Sequence, residues 1–460
     1  MFDKKTYIER RNRLRKKNQS GLALFLGNEE SPMNYADNPY HYRQDSSFLY
    51  FFGLGNPGLA GVIDFDDGRD YIYGNDLTIE DIVWMGTQPT IRERSLRVGV
   101  ENTGSIAQLE EILKKAMAQG RKIHFLPPYR PENKLKLFNW LGIDPVKTAD
   151  NASVELIKAV VEQRAVKSDE EIDQIEDAVN ISVDMHLTAM KMIRPGITEA
   201  EVAAAVHRVA LAAGGQLSFP IIATINGQTL HNHYHGNTLK SGDMFLLDAG
   251  AENAIHYAGD LSSTIPVDAT FTDRQKEIYN IALKSHEAAI AALKPGVKNL
   301  DVHLLGCKTI AEGMKDIGLM KGNVDDAVRE GAHALFFPCG LGHMMGLDVH
   351  DMEDLGEVYV GYEGKPKSAQ FGLKSLRLAR ELQPGFVITV EPGIYFIPEL
   401  IDLWKSEKKF SEFINYDRIE AYKTFGGIRN EEDFLITVDG FRLLGKPLPK
   451  TTADVEAAKG

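Results

Sequence analysis

Short apolar runs separated by turn residues fill the first third of the chain. Four of these runs have the length and the flanking Gly, Pro or Asp that are typical of strands. They lie at residues 21–27, 60–68, 69–74 and 121–128. Between them, residues 105–120 carry apolar positions at helical spacing and end in Gly120, which suits a helix C-terminus. The alternation predicts an α/β amino-terminal domain over residues 1–160.

The pattern changes near residue 160. Residues 162–179 are strongly charged, and Ser168 with Glu171 has the spacing of a capping box at the start of a long amphipathic helix. We therefore predict a linker at about residues 160–167 and a second domain over residues 161–460.

Two local patterns occur twice in this second part. A basic residue followed by Pro-Gly, a β-branched residue and a later Val appears at residues 192–202 and again at 292–302, each time after a predicted helix. An apolar strand that leads from a Gly to a carboxylate also appears twice, ending at Asp248 and at Glu391. Chance similarity of common patterns is one interpretation. A duplicated half with pseudo-twofold symmetry is more economical, because it delivers one carboxylate per half to a shared interface.

Composition excludes several classes of function. The 460 residues contain 52 Lys and Arg against 65 Asp and Glu, a formal net charge of −13, which disfavours binding to nucleic acid or to anionic membranes. The apolar runs are far shorter than the roughly 18 residues of a membrane span. Cys307 and Cys339 are the only cysteines, which favours two free thiols in a reducing compartment. With no signal peptide visible, we expect a cytoplasmic protein.

Five acidic or histidine residues lie within apolar or Gly-rich segments of the second part. Each one alone is equally well explained as a capping Asp, a packed His or a solvated acidic turn. A carboxylate in an apolar strand needs a partner, however, because burying it bare is costly. Four carboxylates balance two divalent cations, and the oxygen-rich set favours manganese, cobalt, iron or zinc in a hydrolytic site. The five candidate metal ligands are Asp248, Asp260, His343, Glu391 and Glu431.

The order of these motifs resembles that of aminopeptidase P and prolidase, the proline-directed members of the pita-bread metallopeptidase family. The matching segments are TLHNHYHGN, LLDAG, YAGDLSSTIPV, GLGHMMGLDVHD, VEPGIYF and GGIRNEED, in family order. Residues 42–58 also resemble the non-catalytic amino-terminal domain of the family. The resemblance spans nearly the whole chain. It implies an α/β amino-terminal domain followed by a pita-bread catalytic domain, an α+β fold duplicated about a pseudo-twofold axis.

The resemblance also implies a role for each metal ligand. Asp248 would bind one cation. Asp260 and Glu431 would bridge the two cations, and His343 and Glu391 would bind the second one.

Two histidines are assigned to catalysis by the same resemblance. His350 would hydrogen-bond to the substrate and to the tetrahedral intermediate. His231 would flank the other side of the scissile bond. The segment LHNHYH offers His231, His233 and His235, and the spacing to Asp248 favours His231, with His233 as the alternative.

Three more residues take expected roles from the family pattern. Arg429 would support the catalytic site. Arg377 would lie near the proline or carboxylate end of the substrate, an exposed helix arginine being the alternative. Trp84 resembles an aromatic residue that reaches an active site, often that of a neighbouring subunit, and core packing is the alternative. Cys339 and Asn430 depart from the family pattern without removing a ligand.

We therefore predict a metal-dependent exopeptidase that hydrolyses the Xaa-Pro bond at the amino terminus of peptides through a hydroxide held by two cations, an Xaa-Pro aminopeptidase. Mn(II) is expected, with Co(II), Zn(II) or Fe(II) as alternatives. An Xaa-Pro dipeptidase, or prolidase, is the alternative function. A creatinase-like hydrolase and a non-catalytic peptide-binding module are less favoured, because all five ligand positions are filled. The expected partners are a proline-containing peptide and further copies of the chain, in a dimer or tetramer.

Overall fold

The structure, a computed structural model, describes residues 1–17 and 20–459. These residues divide into two compact units. The first comprises the described residues up to Arg164 together with Met352–Tyr359, and the second comprises the remainder. Among the described helices, none combines the length and the apolar character that crossing a bilayer requires.

A five-stranded mixed sheet forms the centre of the first unit. Its strands are β1 Leu22–Leu26, β2 Ala60–Asp64, β3 Asp70–Tyr73, β4 Asn102–Gly104 and β5 Ile123–Phe125. Their order is β4-β3-β2-β1-β5, with β2 antiparallel to both β1 and β3, and with β5 and β4 parallel to β1 and β3 respectively. The four predicted strands are confirmed. The sequence of β4, NTG, has no apolar run and gave no signal.

Helices flank this sheet in the chain order α1 Lys4–Lys17, α2 Ser46–Phe52, α3 Ile79–Met85, α4 Ile91–Arg97, α5 Ile106–Ala118, α6 Pro131–Leu141, α7 Thr148–Asn151 and α8 Val154–Ala165. The predicted helix over residues 105–120 is α5. Ser105 caps its first turn, and Gly120 adopts a φ of +74° just beyond its end. Helix α8 continues through residue 160, so the change of unit falls at its last turn.

The second unit begins with two helices and a set of short strands. They are α9 Asp169–Met192, α10 Glu199–Ala212, β6 Gln216–Leu217, β7 Ile222–Thr224, β8 Met244–Asp248, β9 Ala251–Glu252 and β10 Ser262–Pro266. Strand β8 is the centre of an antiparallel sheet with the order β10-β8-β7. The predicted capping box at the start of α9 is confirmed, since the Glu171 carboxylate accepts hydrogen bonds from the backbone and hydroxyl of Ser168.

The rest of the chain supplies the second half of this unit. Its elements are α11 Asp273–Ala291, α12 Asn299–Asp316, α13 Val324–Glu330, a short α14 Glu357–Val360 whose first three residues belong to the first unit, β11 Val387–Val390, β12 Gly393–Tyr395, α15 Pro398–Ser406, α16 Tyr416–Ile419, β13 Gly427–Arg429, β14 Glu432–Ile436, β15 Phe441–Leu443 and α17 Thr452–Lys459. Strands β11, β14 and β15 form an antiparallel sheet in that order.

The two halves repeat one arrangement. In each half, a helix pair is joined by a Pro-Gly turn in which Gly196 or Gly296 has a left-handed φ, of +94° or +85°. Each half then places a central apolar strand whose end carries an acid: β8 ends at Asp248, and Glu391 directly follows β11. The duplicated half predicted from the sequence is therefore confirmed.

A buried ion pair in the second unit stabilises the loop that contains His343 and His350 and ends at Asp351. Lys167 Nζ lies 2.9 Å from Asp351 Oδ2, and both side chains are only 1% exposed. The Lys167 backbone also donates to the carbonyl of Gly385 at 2.9 Å. The pair ties the start of α9 to the segment that carries His350.

We predict that Lys167→Met destabilises the protein by about 3–5 kcal/mol, because it removes the buried cationic side chain that pairs with the Asp351 carboxylate. The matched control is Lys446→Met. Lys446 pairs with Asp184 at 2.9 Å, but both side chains are about half exposed, so its loss should cost at most ~1 kcal/mol. Urea unfolding of the three proteins measures the difference. Equal shifts for both variants would contradict the role given to the buried pair.

Candidate metal centre

Strand ends from both halves of the second unit deliver acids to one cavity. Asp248 closes β8 and pairs in register with Ser262 of β10 and Ile222 of β7. Asp260 stands two residues before β10. Glu431 lies between β13 and β14 and forms a backbone bridge with Ser262, which joins the two sheets. Glu391 follows β11, and all four acids line the same cavity.

The histidine of the set is held with one ring nitrogen toward the acids. His343 Nδ1 lies 3.0 Å from the carbonyl of Met344, and its Nε2 lies 3.4 Å from both Asp260 Oδ2 and Glu391 Oε1. A hydrogen bond from Nδ1 to a carbonyl leaves Nε2 as the electron-pair donor, as in metal-ligating histidines. The backbone N–H of Thr389 donates to the carbonyl of His343 at 3.0 Å, and the backbone N–H of His343 donates to Thr389 Oγ1 at 3.2 Å. A side chain at Gly342 would collide with the Thr389 carbonyl.

Burial, together with the crowding of acids, sets the electrostatics of the cavity. Burial, followed by the charges of Asp248 and Glu391, raises the pKa of Asp260 well above its usual range. Burial and the charges of Asp260, Glu391 and Asp248 raise the pKa of Glu431 in the same way. Ligand atoms of Asp260, His343 and Glu431 lie within 4.8 Å of one another. Asp260 Oδ1 is buried and has no hydrogen-bond partner among the described residues. This donor set fits divalent cations.

An arginine from β13 orders the acids on one side. Arg429 is buried and donates from Nη2 to Asp248, from Nε to Ser262 Oγ at 2.9 Å and from Nη1 to Tyr395 Oη at 2.9 Å. Ser262 in turn donates to Glu431 Oε2 at 2.7 Å. One guanidinium therefore connects two of the predicted ligands.

The other four candidate histidines of the active site differ in their contacts. His350 stacks edge-on against His343, with ring centroids 4.4 Å apart. His231 and His233 both line the cavity, whereas His235 Nε2 lies 3.1 Å from the carbonyl of Ile221. Desolvation and then the charge of Arg429 lower the pKa of His231, with Asp248 opposing.

Arg377 also lines the cavity, in a turn-rich segment rather than on a helix. Trp84 lies on α3 of the first unit and is 83% exposed, so it is not packed in a core of the described residues. The role of Trp84 stays a prediction. Cys339 lines the cavity as a neutral thiol, because burial and the charge of Glu391 raise its pKa to about 12. Asn430 is buried.

Sequence reasoning missed several supporting residues. Asp433 is the last of three consecutive acids, Glu431, Glu432 and Asp433, which from the sequence alone are equally consistent with a solvated turn. All three are buried, and Asp433 Oδ2 accepts a hydrogen bond from the backbone N–H of Asp260 at 3.2 Å. Residues two apart in an extended segment point to the same side, so the spacing of Glu431 and Asp433 was the sequence signal that could have identified Asp433. Ser262, Thr389 and Tyr395 gave no signal, because their partners lie far away in the sequence.

Comparison with known proteins adds a family context. A profile described as metallopeptidase family M24 matches residues 173–438, and one described as the aminopeptidase P N-terminal domain matches residues 7–124. The chain is 32% identical over 451 residues to Xaa-Pro dipeptidase of Homo sapiens, covering 95% of this chain and 89% of that protein. It is 28% identical over 453 residues to a probable Xaa-Pro aminopeptidase of Metarhizium acridum, covering 92% and 87%.

Solved structures agree over the full length. Zn-substituted Escherichia coli aminopeptidase P in complex with product superposes with a TM-score of 0.80 at 27% identity, covering 100% of this chain and 98% of that one. Proline aminopeptidase P II from Yersinia pestis gives a TM-score of 0.82 at 26% identity, covering 100% and 99%. The predicted fold, an amino-terminal α/β domain followed by a pita-bread domain, is confirmed.

We predict that Mn(II) binding to the metal-free protein at pH 7 releases protons. The raised pKa values of Asp260 and Glu431 keep protons on the metal-free cluster, and a cation requires the deprotonated carboxylates. Calorimetric titration in two buffers of different ionisation enthalpy counts these protons. Glu431→Gln should release fewer, while the exposed Glu412→Gln should match the unaltered protein. Identical heats in both buffers would refute the expectation.

Proposed function

The chain belongs to metallopeptidase family M24, and we propose that it hydrolyses the peptide bond between an amino-terminal residue and a following proline, with two divalent cations in its active site. The single observation that carries this proposal is the convergence of four carboxylates and one imidazole on one cavity, from both halves of the duplicated unit. The names of its relatives, Xaa-Pro dipeptidase and Xaa-Pro aminopeptidase, support the proline specificity.

For the ligands of each cation, we propose the arrangement that the family resemblance implies. Asp260 and Glu431 would bridge the two, Asp248 would complete one, and His343 with Glu391 would complete the other. Four negative carboxylates balance two dications, and we propose Mn(II), because oxygen donors predominate; Co(II), Zn(II) and Fe(II) are the alternatives. When bound, such a pair supplies Lewis-acid polarisation of a carbonyl and lowers the pKa of water from ~15.7 toward ~7.

The protein's own groups position the reactants. Arg429, fixed by Tyr395 and Ser262, orients Asp248, and Asp433 orients Asp260 through its backbone. We assign His350, next to His343, to hydrogen bonding with the substrate and the tetrahedral intermediate. We assign His231 rather than His233 to the opposite side of the scissile bond. Its lowered pKa keeps the ring neutral at pH 7, so that it can both donate and accept a hydrogen bond.

An apolar wall completes the cavity and supports the preference for proline. A prolyl ring has no backbone N–H to satisfy and presents three methylenes to its surroundings. An apolar wall accepts such a ring without an unpaired donor. The wall residues are Phe219, Pro220, Ile222, Leu230 and Val349.

Substrate length separates two forms of this activity. An Xaa-Pro aminopeptidase cleaves longer peptides, and a dipeptidase requires the free carboxylate of the proline itself. Arg377 favours the dipeptidase as the second candidate, because a guanidinium in the cavity wall matches a carboxylate in charge and geometry. A filled set of ligand positions disfavours a creatinase-like hydrolase and a non-catalytic peptide-binding module.

We further propose a homo-oligomer, a dimer or tetramer, in the cytoplasm. Helix α3 exposes four apolar side chains, Ile79, Val83, Trp84 and Met85, which a partner subunit would cover. Two free cysteines suit a reducing compartment.

Removal and return of metal test the function directly. Chelator-treated protein should cleave nothing, and added Mn(II), Co(II) or Zn(II) should restore cleavage of Ala-Pro or Ala-Pro-Ala, while the control Ala-Ala stays intact. Faster turnover of Ala-Pro would establish a dipeptidase, and faster turnover of Ala-Pro-Ala an aminopeptidase. Full activity after chelation, or equal cleavage of Ala-Ala, would contradict the proposal.

Arg377→Met should raise the KM for Ala-Pro by about 10- to 100-fold, equivalent to the roughly 1.5–3 kcal/mol of a hydrogen bond to a charged group. The KM for Ala-Pro-Ala should change much less, because its carboxylate lies one residue farther along. Arg377→Lys should recover part of the loss, and Lys374→Met, an exposed cation of the same segment, should behave as the unaltered protein. Equal losses on both peptides would exclude recognition of the dipeptide carboxylate.

A further inference from the structure

A second group of metal-binding side chains lies in the second unit and shares no residue with the catalytic cavity. His303 and Cys307 are four residues apart on α12 and therefore share one face of the helix. His333 comes from the 3-10 helix Ala332–Leu335, which follows α13. All three side chains are completely buried, and one ligand atom from each lies within 4.8 Å of the other two.

Several ring nitrogens in this group lack the hydrogen bond that burial normally demands. His303 Nδ1 and both ring nitrogens of His333 have no hydrogen-bond partner among the described residues. Within the group, Cys307 Sγ and His303 Nε2 are in polar contact at 3.4 Å. A thiol proton satisfies that contact alone and leaves His333 unsatisfied. A cation shared by the three residues would bind the sulfur of Cys307 and one ring nitrogen of each histidine.

The protonation states suit metal ligands. Burial lowers the pKa of His303 to about 3 and that of His333 to about 4, so both rings are neutral at pH 7. The backbone of Val328 opposes the shift of the His333 pKa only in part. Burial also raises the pKa of the Cys307 thiol, so a thiolate forms here only with a cation to pair it.

Geometry and charge select the kind of cation. Two ligands at ~2.0–2.3 Å from one ion lie roughly 3.5–4 Å apart, close to the separation of Cys307 Sγ and His303 Nε2. The ring of Phe337 packs 5.5 Å from that of His303, and neither imidazole forms an ion pair with a carboxylate of the described residues. One thiolate with a monovalent cation gives a neutral complex, whereas a dication leaves a positive charge in an apolar interior.

We propose that His303, Cys307 and His333 form a buried structural site for one soft, thiolate-binding cation, and that Cu(I) fits it best. The site is separate from the carboxylate-rich catalytic pair in both position and ligand chemistry. Because the three residues are closed off from solvent, the cation enters during folding and leaves slowly.

Elemental analysis of the full-length protein, expressed with copper and zinc supplied and then dialysed against EDTA, tests the site. The unaltered protein should retain one equivalent of copper per chain. Cys307→Ala and His333→Asn should lose it. His207→Asn, a partly exposed histidine of α10, and Asp260→Asn, in the catalytic cavity, should keep it.

X-ray absorption of the unaltered protein gives a second readout that needs no variant, and it should show one sulfur and two nitrogen ligands. Retained zinc in place of copper, lost in Cys307→Ala, would support the site and overturn the charge argument for Cu(I). Absence of both metals from the unaltered protein, or equal retention in Cys307→Ala, would overturn the site itself.

Discussion

The burial of four mutually repelling carboxylates is the constraint on which the catalytic unit depends. Asp260 and Glu431 are buried in a cavity beside Asp248 and Glu391, where desolvation and the charges of the other acids raise the pKa of both. One guanidinium, that of Arg429, compensates only part of this charge. Cations are the partners that remove the conflict, so the cost of gathering the acids is also the source of metal affinity.

The duplicated fold brings the acids together, because each half supplies a strand that ends at the cavity. Each half ends a central apolar strand at the cavity, and the bridge between Ser262 and Glu431 joins the two sheets there. Ser262 donates to Glu431, while the Thr389 hydroxyl and the Met344 carbonyl accept from His343, and these bonds fix the orientation of the ligands. Rigid strands position the ligands, while the histidines proposed to contact substrate stand on loops around them.

The sequence was most informative where local chemistry was anomalous. Asp248 and Glu391 could be identified because an acid at the end of an apolar strand requires a partner, and the Pro-Gly repeat predicted the duplicated half. Supporting contacts could not be predicted, since Arg429 reaches Asp248 across 181 residues and no local pattern encodes that approach. Likewise, His303 and Cys307 have a visible helical spacing, but only the tertiary fold brings His333 to them. The choice among three neighbouring histidines also needed the fold, which engages His235 with a backbone carbonyl.

Asp260 and Glu431 are proposed to bridge two cations, and crystals of the Mn(II)-loaded protein, measured at the manganese absorption edge, test this bridge directly. We expect two anomalous peaks in the cavity, about 3.5–4 Å apart, each in contact with carboxylate oxygens of both residues. A single peak, or two peaks that share neither Asp260 nor Glu431, would contradict it.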